Sequence, residues 1–72
     1  MIAYLDLVRI LRERLLFERA RLLQQAELPT AASVYRFALH LELLCRLEEA
    51  AGEDDRQRLA DLMTTAGRLV GA

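Results

Sequence analysis

Residues 30–52 read TAASVYRFALHLELLCRLEEAAG, and this stretch decides the architecture. Leu, Ala, Arg and Glu dominate it, all good helix formers, and its apolar residues recur at the three- and four-residue spacing of a helix face. Thr30 stands in front as an N-cap, where a hydroxyl accepts from an otherwise unpaired N–H of the first turn. Gly52 stands behind, in the place of the C′ residue that so often closes a helix in a left-handed conformation. The helix so delimited runs from about Ala31 to Ala51. Val34, Phe37, Ala38, Leu41, Leu44 and Cys45 form one broad face, and Leu39, Leu43 and Leu47 extend it almost around the helix. Only Tyr35, Glu42, Arg46 and Glu49 make a clear polar strip. A helix that is apolar on most sides is buried on most sides, so this is the central element.

Upstream, Pro29 pushes the residue before it out of the helical region. The preceding helix is therefore expected over about Ile2 to Glu27. On a helical wheel Tyr4, Leu5, Val8, Leu11, Leu15, Leu16, Leu22, Leu23 and Ala26 share an arc, the expected core face. A second apolar stripe, Ala3, Leu7, Ile10 and Phe17 with Arg14 and Arg21 among them, occupies the far side, where an ordinary surface helix is polar. Downstream, Asp54 and Gln57 have the spacing of a capping box, and the acidic run Glu53, Asp54, Asp55 sits where a helix dipole favours anions. The third helix is expected over residues 54–69, with Leu59, Leu62, Met63, Ala66 and Val70 in one narrow stripe that covers a single neighbour. Connections this short make consecutive helices antiparallel neighbours.

The expected fold is thus all-α: a small three-helix antiparallel bundle, a long helical hairpin plus a shorter third helix, in one domain over residues 1–72. The first helix, roughly 38 Å long at the usual rise per residue, outreaches the third, so oligomerisation is expected to complete the bundle. Composition agrees. Of the 72 residues 54% are hydrophobic, above the usual ~45–50%, while a domain this short buries only about 60% of its unfolded surface. Surplus apolar surface marks an interface.

The net charge of −1 draws the chain neither to nucleic acid nor to anionic lipid. All ten basic residues are Arg, with no Lys and no Asn. That pattern matches the codons of a GC-rich genome and weakens Arg richness as a functional signal. A lone cysteine, Cys45, allows no intrachain disulfide and no zinc cluster. Asp6 and Arg9 interrupt the first apolar run, and the longest uncharged stretch, Leu28 to Tyr35, is too short to span a bilayer. A cytoplasmic chain without cofactor or metal is the expectation.

Five residues make the best candidate for a partner-binding face: Leu7, Ile10 and Phe17 as apolar anchors, edged by Arg14 and Arg21. The alternative is that the third helix packs on this stripe and makes it core. Arg12 and Arg19 fall inside the expected core arc, and an unpaired buried Arg is too costly to keep. In a hairpin turning at Leu28–Pro29, Arg12 lies near Glu48, so a buried Arg12–Glu48 ion pair is expected; Arg19 is expected to lay its stem along the core and its head in water. His40 has no nucleophile or second histidine at helical spacing, and reads as a hydrogen-bonded, partly buried residue. Cys45 reads as a small hydrophobe, and Glu42–Arg46 and Asp54–Arg58 as i,i+4 pairs on solvated faces.

These readings point to a non-enzymatic adaptor, small chaperone or assembly subunit that binds protein through apolar helix faces, its first partner a second copy of itself. The alternative is a nucleic-acid-binding regulator acting as a helical dimer, as the helical hairpin dimers of plasmid copy-number control do. Against it, the Arg residues of the first helix scatter around the wheel among Asp6, Glu13 and Glu18. Two resemblances add context. Residues 12–22, RERLLFERARL, resemble the first helix of the all-helical chorismate mutases, which implies a small helical enzyme holding a dicarboxylate between Arg and Lys side chains inside a dimer; here there is no Lys. The length, the turn at Pro29 and the following apolar helix with Tyr35 near its start resemble the helical-hairpin co-chaperones of type III secretion, which implies a partner-covering role.

Overall fold

The computed structural model describes residues 2–25 and 28–71. Three helices follow one another: α1 (Tyr4–Gln24), α2 (Ala31–Gly52) and α3 (Arg56–Leu69). Each packs against the other two. Helices α1 and α2 form a long antiparallel hairpin, and α3 lies along one side of it. None of the helices is long and apolar enough to cross a membrane.

The first helix stops short of the expected Glu27. Gln25 already has extended backbone, at φ −70° and ψ 133°, while Ala26 and Glu27 lie outside the described residues. The reason is reach. Packed helix axes stand about 8–10 Å apart, and the extended Gln25 already directs the chain out of α1 toward α2. Thr30 then caps α2 as expected, its Oγ1 accepting from the Ser33 N–H at 3.1 Å.

The end of α2 corrects the sequence reading. The helix runs through Gly52, and the left-handed residue is Asp54, at φ 55°. Asp54 N–H donates to the Ala51 carbonyl at 3.2 Å and Asp55 N–H to the Ala50 carbonyl at 3.0 Å. This pair of bonds is the Schellman closure, with Asp54 at C′. Aspartate tolerates the left-handed region better than most residues. With Asp54 occupied there, the N-cap of α3 moves one residue along: Asp55 Oδ1 accepts from the Arg58 N–H at 3.1 Å. Asp55 therefore closes one helix with its backbone and opens the next with its side chain. At the far end Gly71, at φ 78°, turns the chain out of α3.

The core is built from Leu7, Val8, Leu11 and Leu15 of α1, Leu43, Leu44 and Leu47 of α2, and Ala66 of α3. Phe37, Leu39, Leu59, Leu62 and Met63 pack around it, half-buried. The α3 stripe is thus the expected one. The α1 arc is not. It is rotated toward the second stripe, so that Leu7 is 1% exposed while Leu5, Leu16 and Leu23 stand 76%, 66% and 71% exposed. Apolar residues on three sides of α1 leave its periodicity undecided, and the packing of α3 settles which side goes in. On α2 the same choice leaves Val34, Leu41 and Cys45 on the outside. The molecule measures 43 × 19 × 17 Å with a radius of gyration of 13.3 Å, against about 11 Å for a compact domain of this length.

Candidate docking faces

Helix α3 has 14 residues and so spans about 21 Å, roughly two-thirds the length of the two helices it lies on. Arg14 marks where its cover ends: Nη2 donates to the Val70 carbonyl at 3.0 Å, satisfying a carbonyl at the helix C-terminus. This divides the five-residue stripe singled out in the sequence. Leu7 is sealed under the bundle and is not available to a partner, Ile10 is half-buried, and Arg14 binds α3. That half of the stripe is internal packing, the alternative the sequence left open. Phe17 and Arg21 lie beyond α3 and are exposed.

Past the end of α3 the hairpin carries an open concavity of about 590 Å³ lined by Ile10, Glu13, Arg14, Phe17, Glu18, Arg36 and His40. Its two carboxylates are engaged with arginines of their own helix: Glu13 with Arg9 at 3.2 Å and Glu18 with Arg21 at 2.9 Å. His40 is buried, with Nδ1 2.7 Å from the Arg36 carbonyl. A carbonyl only accepts, so Nδ1 is the donor in this bond. Among the described residues no buried side-chain nitrogen or oxygen is left without a hydrogen-bond partner. The histidine is a satisfied member of the helix packing.

The other side of the hairpin, opposite α3, carries a face that the sequence reading had assigned to the core. Leu5, Leu16 and Leu23 line it from α1, with Arg12 and Arg19 between them; Val34, Leu41 and Cys45 line it from α2, with Glu48 at one end. Arg12 Nη2 meets Glu48 Oε1 at 2.6 Å and ties the two stripes together. The expected partner is there, but the pair is exposed, with side-chain accessibilities of 61% and 43%. The rotation of the α1 core arc is the cause, since it carries Arg12 and Arg19 out of the interior and removes the desolvation problem. An exposed pair of this kind contributes about 0–1 kcal/mol. The signal that would have found this face is the seven-residue spacing of Leu5, Arg12 and Arg19 and of Val34, Leu41 and Glu48.

Elsewhere the charges neutralise one another locally. Arg9, Arg12, Arg21, Arg46, Arg56 and Arg58 each stand within 4.0 Å of a carboxylate. Arg58 reaches two, Glu49 of α2 and Glu53 of the corner, at 3.2 and 3.4 Å. Cys45 is an exposed thiol rather than the buried hydrophobe expected of it. Among the described residues no three of His, Cys, Asp and Glu gather as a metal site. Comparison with protein-family models, curated proteins and solved structures gives no match.

Proposed function

We propose that the chain is a non-enzymatic protein-binding module, an adaptor, small chaperone or assembly subunit, that works by covering apolar surface on another protein chain. The observation that carries this reading is the leucine face opposite α3. Five large aliphatic side chains, Leu5, Leu16, Leu23, Val34 and Leu41, lie on one side of the hairpin at between 45% and 76% exposure. Single exposed leucines are ordinary, but several on one side of two adjacent helices mark an interaction surface. Helix axes held parallel by a packed core offer such a partner a preformed groove. The pairing of six of the ten arginines with carboxylates counts against the nucleic-acid alternative, which needs clustered, uncompensated positive charge.

Light scattering during size exclusion, over a wide concentration range and paired with titration of a fluorescent dye specific for exposed apolar surface, tests the reading. Self-association or strong dye binding is the expected result. A chain that stays monomeric at high concentration and leaves the dye dark overturns it.

A further inference from the structure

We propose that the leucine face is covered by a second copy of this chain, in a parallel two-fold dimer where α1 of each copy lies on α2 of the other. The inference rests on the reading of this face as a protein-binding surface and adds its occupant and geometry. At the centre of the dimer Arg12, the partner's Glu48, the partner's Arg12 and Glu48 form a ring of alternating charge.

The first argument is area. The accessible surface is 5278 Å², whereas a compact monomer of 8.2 kDa has about 4,500 Å². The excess of about 700 Å² is close to the ~800 Å² that each partner buries in a standard interface. Sealing this face against a copy brings the chain back to the surface of a compact protein.

The second argument is charge. The Arg12 and Glu48 side chains meet across the hairpin at 2.6 Å, so Arg12 reaches the height at which Glu48 stands on the neighbouring helix. Two hairpins can meet face to face with a two-fold axis in two ways. With their turns at opposite ends, α1 faces the partner's α1 and α2 the partner's α2, so Arg12 and the partner's Glu48 stand on diagonal helices and cannot face one another. With their turns at the same end, α1 faces α2 of the other copy. The partner's Glu48 then stands at the same height as the chain's own, within the reach that Arg12 already shows. Only this second arrangement is complementary in sign. The seven-residue spacing on both stripes suits the shallow crossing angle of four-helix packing.

Charge reversal tests it directly. Arg12→Glu leaves a face with two negative groups, and Glu48→Arg one with two positive groups. Each variant alone is expected to elute with the mass of one chain, while the wild type and an equimolar mixture of the two variants elute at twice that mass. Circular dichroism at low concentration shows that each variant keeps its helices. Should either reversal disturb folding, Leu16→Glu, on the same face, serves instead and is expected to be monomeric. Single variants that dimerise like the wild type, or a mixture that remains monomeric, overturn the proposal. So does rapid oxidation to a Cys45–Cys45 disulfide between copies, which the turns-opposed arrangement allows and the parallel one keeps apart on diagonal helices. A wild type that is monomeric yet binds the apolar dye overturns the dimer and leaves the protein-binding reading standing; one that is monomeric and dark removes both.

Discussion

Replacing Leu47 by Ala strikes the centre of the bundle. Leu47 is fully buried on α2, among the leucines of α1 and against α3. Removing its three outer carbons forfeits the transfer energy of those atoms and leaves a cavity that rigid helices refill only in part, a loss of about 2–5 kcal/mol. A core of this size supplies about 3–5 kcal/mol in all. With a urea slope near ~1 kcal/mol/M for a small domain, the unfolding midpoint falls by about 2 M or more, and the variant is partly unfolded in buffer at 37 °C. The assay is urea unfolding followed by circular dichroism at 222 nm, at a chain concentration low enough to keep self-association out of the signal. Leu16→Ala, on the same protein and of the same chemistry, is the control: at 66% exposure it changes stability by less than ~0.5 kcal/mol, which with the same slope moves the midpoint by less than about 0.5 M. Equal losses for the two leucines, or a larger one for Leu16, would mean that α1 presents the opposite side to the core and that the face described here is interior.

Asp54 holds a left-handed backbone at φ 55°, so Asp54→Gly relieves the strain and raises stability by about 0.5–1 kcal/mol; in a thermal melt that appears as roughly 3–6 °C. Asp55→Ala removes the cap on the Arg58 N–H and costs ~1 kcal/mol, with α3 signals lost first in hydrogen exchange. Arg12→Ala lowers monomer stability by less than ~1 kcal/mol because the pair is exposed, while shifting the monomer–dimer equilibrium by at least an order of magnitude in analytical ultracentrifugation. Cys45, exposed on the leucine face of one chain, labels rapidly with a thiol reagent at nanomolar protein and progressively more slowly as concentration rises; a rate independent of concentration would place the thiol outside the interface.

The number of helices, their antiparallel order and the inward stripe of α3 were legible in the sequence, because α3 is polar on three sides and its wheel admits one answer. Helix α1 admits three. Leu5 with Leu16 and Leu23, Val8 with Leu11 and Leu15, and Leu7 with Ile10 and Phe17 all recur at helical spacing, and local periodicity does not rank them. The ranking comes from α3, which docks beside Leu7 and so turns Leu16 and Leu23 outward. The same rotation explains why Arg12 and Glu48 were matched correctly along the hairpin while their burial was misjudged: register depends on the turn, exposure on the third helix. The corner between α2 and α3 was misread for a different reason. Gly52 is the residue expected at a left-handed closure, yet Asp54 takes that conformation, and the cap passes to Asp55 as a result. His40 was placed as a hydrogen-bonded packing residue from its neighbours alone, and its bond to the Arg36 carbonyl is the local one a histidine finds four residues back.

The double duty of Asp55 has a kinetic consequence. Because one residue closes α2 and starts α3, these two helices are joined over a very short loop, and short loops lose little entropy on closing. Helix α1 must instead be brought back across a longer connection through Pro29. Local contacts form first when the chain is otherwise evenly apolar, so the α2–α3 corner is expected to form ahead of the docking of α1, with high φ-values confined to α2 and α3. Perturbing Asp55 then slows refolding, whereas trimming Leu15 on α1 chiefly hastens unfolding. Until α1 docks, the leucines of α2 that pack against it lie open, and a nascent chain meets its neighbours with more adhesive surface than the finished one.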